Sequence, residues 1–197
     1  MKINLLIGGS TYTSSLLERE WDIQMALGSA LDQATFVLDD PHNTIALNSG
    51  VDVLIGNGDD TTVYYFGGVL LEVSKMTAGL GRRHVCKAVD WSFVLSRAVV
   101  SGQYKGRSDD SVINSTTATP KGIFRDGVSH TDLSEFDSTS FVSQGVPDTK
   151  FLRFQDVPVS QVLEGLAELA GFVWHVDPYK RLHYGRWNAV ASTSDLS

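Results

Sequence analysis

The chain holds a single cysteine, Cys86, among 197 residues. That excludes an intramolecular disulfide and a zinc site built from several cysteines. Its apolar runs are short, far below the roughly 18 consecutive residues of a membrane-spanning helix. The start, Met1-Lys2-Ile3-Asn4-Leu5-Leu6-Ile7-Gly8-Gly9, has one cation and too brief an apolar stretch for a secretory signal. Synthesis in a reducing cytoplasm is the expectation. Basic residues are also in deficit, with 16 Lys and Arg against 23 Asp and Glu, a formal charge of −7. A protein that grips nucleic acid by its phosphates needs a basic face. The one local candidate, Arg82-Arg83-His84 with Lys87, reads as a solvated turn and edge strand.

Catalytic and metal-binding patterns are missing as well. The five histidines, His42, His84, His130, His175 and His183, show none of the paired spacings of metal motifs. His175 and His183 flank one turn. A four-residue turn over 177–180 sets Trp174, not His175, opposite His183, so the two imidazoles are expected not to converge. The acidic pairs Asp39-Asp40, Asp59-Asp60 and Asp109-Asp110 sit in turn-like sequence and lack the calcium-loop pattern, which reads as solvated turns. Gly56-Asn57-Gly58 lacks the Lys-Ser/Thr ending of a phosphate loop. Cys86 has no base or orienting group nearby in sequence and reads as an inert strand thiol. The expectation is no catalytic residue, no cofactor and no metal.

What the chain does have is β patterning. Hydrophobic content of 42% with 20% charge suits a globular protein of one large or two small domains. Ile3 to Ile7 is a candidate strand closed by Gly8-Gly9. Trp21 to Asp40 alternates in two halves, with Ile23, Met25 and Leu27 on one parity and Ala34, Phe36 and Leu38 on the other. A turn or bulge near Gly28 and Ser29 reconciles them. Asp39 to Asn43 reads as a turn, Val51 to Ile55 as a strand, and Gly56 to Asp60 as the next turn. Between Thr62 and Tyr104, Val63 and Tyr65 form one strand and Val69 to Val73 a second, separated by a kink at Phe66-Gly67-Gly68. Gly79 and Gly81 turn the chain, and Val85 to Val89 returns. Strands at this spacing suggest a Greek-key barrel or sandwich rather than a βαβ sheet.

From Lys105 to Lys150 the sequence is polar and short of core residues. Residues 105–119 and 132–144 read as long surface loops, as segments disordered until bound, or as arms ordered by a neighbouring subunit. From Phe151 to Trp187 the local signals agree again. Asp156 serves as a helix cap and Pro158 suits the first turn. Val159, Val162, Leu163, Leu166, Ala167, Leu169 and Ala170 form an apolar stripe, and Gly171 stops it. Phe172 to Val176 and Leu182 to Tyr184 then form a hairpin, able to bury Trp174 and Tyr184 against the helix.

Two of these segments resemble a known family. The ordered set Phe66-Gly67-Gly68, Asp90-Trp91, Leu95 and Arg97 resembles the first barrel segment of phage tail hub proteins. These are the baseplate hubs of contractile tails, the tail-tip hubs of siphophages and the spike-hub relatives of type VI secretion systems. Val159, Val162, Leu163, Leu166, Ala167, Gly171, Trp174, Val176 and Asp177 resemble the inserted domain of the same family. The two segments occur in the family's order and cover about half of the chain. Complete hubs continue into a further domain and a second barrel segment, so a chain stopping at Ser197 is expected to be a partial or reduced hub. Residues 108–127 lack the amphipathic helix the family carries there.

The resemblance implies a mainly β fold with an α+β insertion. A tail-tube-like β-barrel or split barrel over residues 1–104 is followed by an α+β unit with polar arms over 105–187 and a polar tail over 188–197. It implies a structural virion protein at the tail tip, a homotrimer ring that joins the tail tube to the tip or baseplate. Such a ring meets distal tail, tube and tip or spike proteins, and DNA passes its lumen without stable binding. Trp91 and Arg97 would be structural contacts. Two other classes stand beside this one: a carbohydrate- or receptor-binding tail module, and a cell-wall hydrolase. The hydrolase ranks last because it needs paired acids, a Cys/His set or a zinc triad.

Overall fold

The structure is a computed structural model that describes residues 2–25, 31–78, 81–117, 121–125, 133, 135–138, 140 and 142–186. The chain divides into two compact units, residues 1–93 and 94–197.

The first unit is one antiparallel sheet. Its strands are β1 (Ile3–Ile7), β2 (Ser10–Thr11), β3 (Leu16–Gln24), β4 (Gln33–Asp40), β5 (Asp52–Asn57), β6 (Tyr64–Ala78) and β7 (Gly81–Asp90), in the order β2-β1-β5-β6-β7-β4-β3. The sheet curls into a half-barrel. Alternation explains the curl's interior: Ala34, Phe36 and Leu38 of β4 are buried while Thr35 is exposed. Leu5, Val53, Ile55, Phe66, Leu70, Cys86 and Ala88 complete the same core. Burying each larger aliphatic or aromatic side chain contributes roughly 1.5–3 kcal/mol. A 3₁₀ turn at Thr13–Ser15 carries the chain from β2 to β3, and the Thr13 hydroxyl accepts the Leu5 N–H at 3.0 Å. Gln24 ends β3 and Gln33 starts β4; the expected break near Gly28 and Ser29 lies outside the described residues.

The Phe66-Gly67-Gly68 kink is absent. β6 is one continuous strand of 15 residues, with irregularities at Tyr65, where Ile55 and Gly56 pair with Phe66 and Tyr64, and between Leu70 and Glu72. Gly68 serves close packing of strands instead: a Cβ there would lie 1.9 Å from the Val89 carbonyl oxygen. Gly56 likewise belongs to a strand, not a turn, and pairs with Tyr64.

The second unit contains β8 (Val99–Lys105), α2 (Asp109–Asn114), β9 (Phe151–Pro158), α3 (Val159–Ala170), β10 (Val173–Val176) and β11 (Leu182–Gly185); α1 (Ser92–Arg97) straddles the division. β8 pairs with β9 and β10 with β11, both antiparallel. The stripe of α3 is buried at Val159, Val162, Leu163, Leu166 and Ala167, whereas Leu169 is exposed. Gly171 ends the helix in the left-handed conformation at φ 64°, and the Phe172 N–H returns to the Ala167 carbonyl.

Asp156 does not cap α3. Strand β9 runs on to Pro158, and Asp156 sits at φ 52° in a bulge of β9, where Gln155 and Asp156 together oppose Ser101 of β8. There its carboxylate accepts the Ser101 hydroxyl at 2.9 Å, and its N–H donates to the same oxygen at 2.8 Å. The Val159 N–H at the start of α3 is satisfied by the Ala98 carbonyl at 2.9 Å. The polar stretch after Lys105 is also less bare than its composition suggests. It contains α2, whose Val112 and Ile113 are fully buried, and Leu133 and Phe136 are buried beyond it. Asp137 and Val142 bridge to Arg181 and Tyr184 of the same chain.

Candidate functional site

The described residues place most of the groups singled out by the sequence. The basic run splits by strand alternation. His84 turns into the barrel, while Arg83 lies 3.6 Å from both Glu20 and Asp39. Lys87 is paired across the sheet with Glu72. No continuous basic face results. Cys86 is buried in the core, and burial pushes its thiol up to about 12, so it stays protonated and unreactive.

Two of the three acidic pairs are not simply solvated turns. Asp40 is buried, with His84 Nε2 3.1 Å from its Oδ2 and the N–H groups of Thr44 and Ile45 donating to it at 2.8 and 3.1 Å. Burial opposes its ionisation, yet the donors from Thr44, His84 and Ile45 hold it below the usual carboxylate range. Asp109 is fully buried at the start of α2. It accepts the Tyr184 hydroxyl at 2.7 Å, the Gly145 N–H at 3.0 Å and the Asp110 N–H at 3.0 Å. Both acids tie loops to strands. Asp59 and Asp60 do form a solvated turn, in which Asp60 accepts the Thr62 N–H and hydroxyl.

The D-W pair also acts locally. Asp90 accepts N–H bonds from Asp32 and Ser92, each at 3.1 Å, and Trp91 is buried. Burial, aided by the charge of Asp32 and opposed by those N–H bonds, pushes the Asp90 carboxyl up to about 6. Arg97 is exposed at the end of α1.

The histidine pair departs from the sequence expectation. Asp177 and Arg181 remain hydrogen-bonded across the loop, so only residues 178–180 turn, with Lys180 in the left-handed region at φ 61°. The shorter loop sets His175 opposite His183, and the two rings stack with centroids 4.7 Å apart and planes 5° from parallel. Stacked rings do not aim two lone pairs at one point. Among the described residues, no group of three or more His, Cys, Asp or Glu is placed to hold a metal ion. His42 is exposed, and His130 lies outside the described residues.

Among the described residues, a shallow depression of about 320 Å³ lies on the first unit, lined by Arg19, Glu20, Trp21, Asp22, Thr35 and Val37 among others. Trp21 is partly buried and packs against the barrel core. The other feature is the pair of sheet ends. β3 closes one end of the sheet and the two-residue β2 the other, and among the described residues neither has a strand beyond it. Past Leu70, β6 pairs only with β7. Open strand edges are surfaces for association, and here they carry Arg19, Glu20, Asp22, Glu72 and Lys75, charges that discourage indiscriminate pairing.

No protein-family model matches the chain, and no curated protein matches it in sequence. Solved structures do match in shape. A 43 kDa tail protein of prophage MuSo2 from Shewanella oneidensis superposes with a TM-score of 0.67 at 14% identity, over 94% of this chain and 55% of that one. A tail protein from Neisseria meningitidis gives 0.59 at 15% identity, over 93% and 50%. A type VI secretion component from E. coli, itself described as similar in structure to bacteriophage tail proteins, gives 0.50 at 11%, over 84% and 48%. The fold is therefore that of phage tail proteins: mainly β, a curled sheet followed by a unit of short strand pairs and helices. The chain spans about half the length of the structures it matches.

Proposed function

We propose that the chain is a structural subunit of a phage tail, the hub that joins the tail tube to the tip or baseplate. One observation carries the reading: a curled sheet with the tail-protein fold whose two end strands, among the described residues, are each paired along one side and have no strand beyond them. Such a sheet is completed by neighbours, and closed cyclic symmetry covers every open edge at once. A homotrimer ring is the form implied by the hub resemblance. Its surroundings are the tube, distal tail and tip or spike proteins, its place is the virion tail tip, and it is made in the host cytoplasm. Its domains are a barrel segment, an α+β unit with polar arms, and a polar tail.

In this reading the protein performs no covalent chemistry. The net charge of −7 keeps the wall of the ring from holding DNA that must slide past, since like charges repel across the lumen. The segments 105–119 and 132–144 contribute arms that meet neighbouring subunits. Chemical cross-linking of intact particles tests the proposal. A band at three times the chain mass, together with links to other tail proteins, is expected. Capture of the chain only as single copies, or its retention on a glycan surface without any self-links, points to a carbohydrate- or receptor-binding module instead.

A further inference from the structure

The β10–β11 hairpin carries a titratable arrangement that the assembly role does not use. Asp177 organises its turn. One carboxylate oxygen accepts the Tyr179 and Arg181 N–H groups at 2.9 and 3.1 Å. The other lies 2.6 Å from Arg181 Nε and 3.0 Å from His183 Nε2. His183 is buried, and His175 stacks directly on it. Among the described residues the His175 ring has no hydrogen-bond acceptor. The carboxylate of Asp177 already receives four donors.

The charged and titratable groups of the surrounding elements are accounted for. On α3, Glu164 accepts the Trp174 indole N–H at 3.0 Å, and Glu168 is exposed. Glu135 is bound to Lys180 at 2.6 Å, and Arg181 lies over the Tyr179 ring at 4.7 Å. Asp137 takes part in backbone pairing with Lys180 and Leu182, and Tyr184 donates to Asp109.

We propose that the His175–His183 stack is an acid-operated latch: a proton on His175 opens the hairpin. The cation would form in a half-buried site, face to face with a second imidazole. Burial first, and then the neighbouring His183, lower His175 to about 4 against the partial opposition of Asp177. The folded state thus binds this proton less readily than the unfolded chain. The latch is fully closed above about pH 6.5 and weakens as pH falls towards 4. At pH 5 the open population of the hairpin rises about 30-fold relative to pH 7.5.

Hydrogen exchange on the full chain at pH 7.5 and pH 5, corrected for intrinsic exchange rates, reads this directly. Peptides across 172–185 should lose about 30-fold in protection in acid. His175→Phe, which keeps an aromatic ring on His183 but carries no proton, should reduce that loss to less than about threefold. An NMR titration of the unmodified protein gives a second reading that needs no variant, with the His175 ring staying neutral down to pH 5. An equal acid response in His175→Phe, an unchanged 172–185 segment at pH 5, or ordinary titration of His175 near 6.5 would each overturn the proposal.

Discussion

Replacing Tyr184 by Phe isolates one hydrogen bond in the second unit. The Tyr184 side chain is fully buried, and its hydroxyl donates to Asp109 Oδ2 at 2.7 Å. Phenylalanine keeps the ring and its edge-on contact with Phe172 at 5.4 Å. Only the hydroxyl goes. A bond to a carboxylate contributes about 1.5–3 kcal/mol. Because Asp109 keeps its bonds from Gly145 and Asp110, the lower part of that range, about 2 kcal/mol, is expected. For a unit of this size that lowers the melting temperature by roughly 10 °C. Asp109→Ala is the contrasting change, since it strands the Tyr184 hydroxyl and two N–H groups. It should exceed the Tyr184→Phe loss by at least about 1 kcal/mol. Denaturant-dependent hydrogen exchange over residues 109–114 separates this unit's stability from the first. Tyr184→Phe remaining within about 0.5 kcal/mol of the parent, or matching Asp109→Ala, would refute the reasoning.

Three further outcomes follow from local geometry. Trp91→Ala should lose about 3–5 kcal/mol through emptied space, measured by urea unfolding, and a change below 1 would mean that its burial is replaceable. Gly68→Ala should destabilise by more than the 1–3 kcal/mol typical of overpacking, since the added Cβ meets only β7 backbone; Gly165→Ala, exposed on α3 with nothing within 4 Å, should stabilise by about 0.5–1 kcal/mol in the same melts. Asp90 binds its proton more tightly folded than unfolded, so the stability it confers is present below about pH 4 and lost as pH rises through 6. The loss is about 3 kcal/mol, and the difference between the parent and Asp90→Asn across pH 4–7.5 should show that slope.

The fold was legible wherever local signals agreed with burial. The α3 stripe and its Gly171 stop needed nothing beyond the helix itself, and Ile3–Ile7 and Leu182–Gly185 alternate or run apolar as strands do. Errors arose where a distant partner decided. Gly67-Gly68 looks like a kink by composition, yet two flanking strands hold it extended. Asp156 looks like a cap, but Ser101, far away in sequence, claims it. The buried roles of Asp40 and Asp109 depend on His84 and Tyr184, which no spacing rule connects to them. The His175–His183 pairing turned on a single residue of loop length, the smallest change that alters every cross-strand pair. Strand β9 was missed for a similar reason, although Leu152 and Phe154 alternate with exposed residues. Its partner β8 lies on the far side of the polar stretch.

The central claim is that this chain forms part of a closed ring at the tail tip. Averaged electron images of intact tails, with the chain marked by a bound antibody fragment, test it most directly. Three copies arranged around a central hole at the end of the tube, with the first unit's sheet nearest the axis, is the predicted result. Single copies scattered along the outside of the tube, with no ring of this chain at the tip, would contradict it.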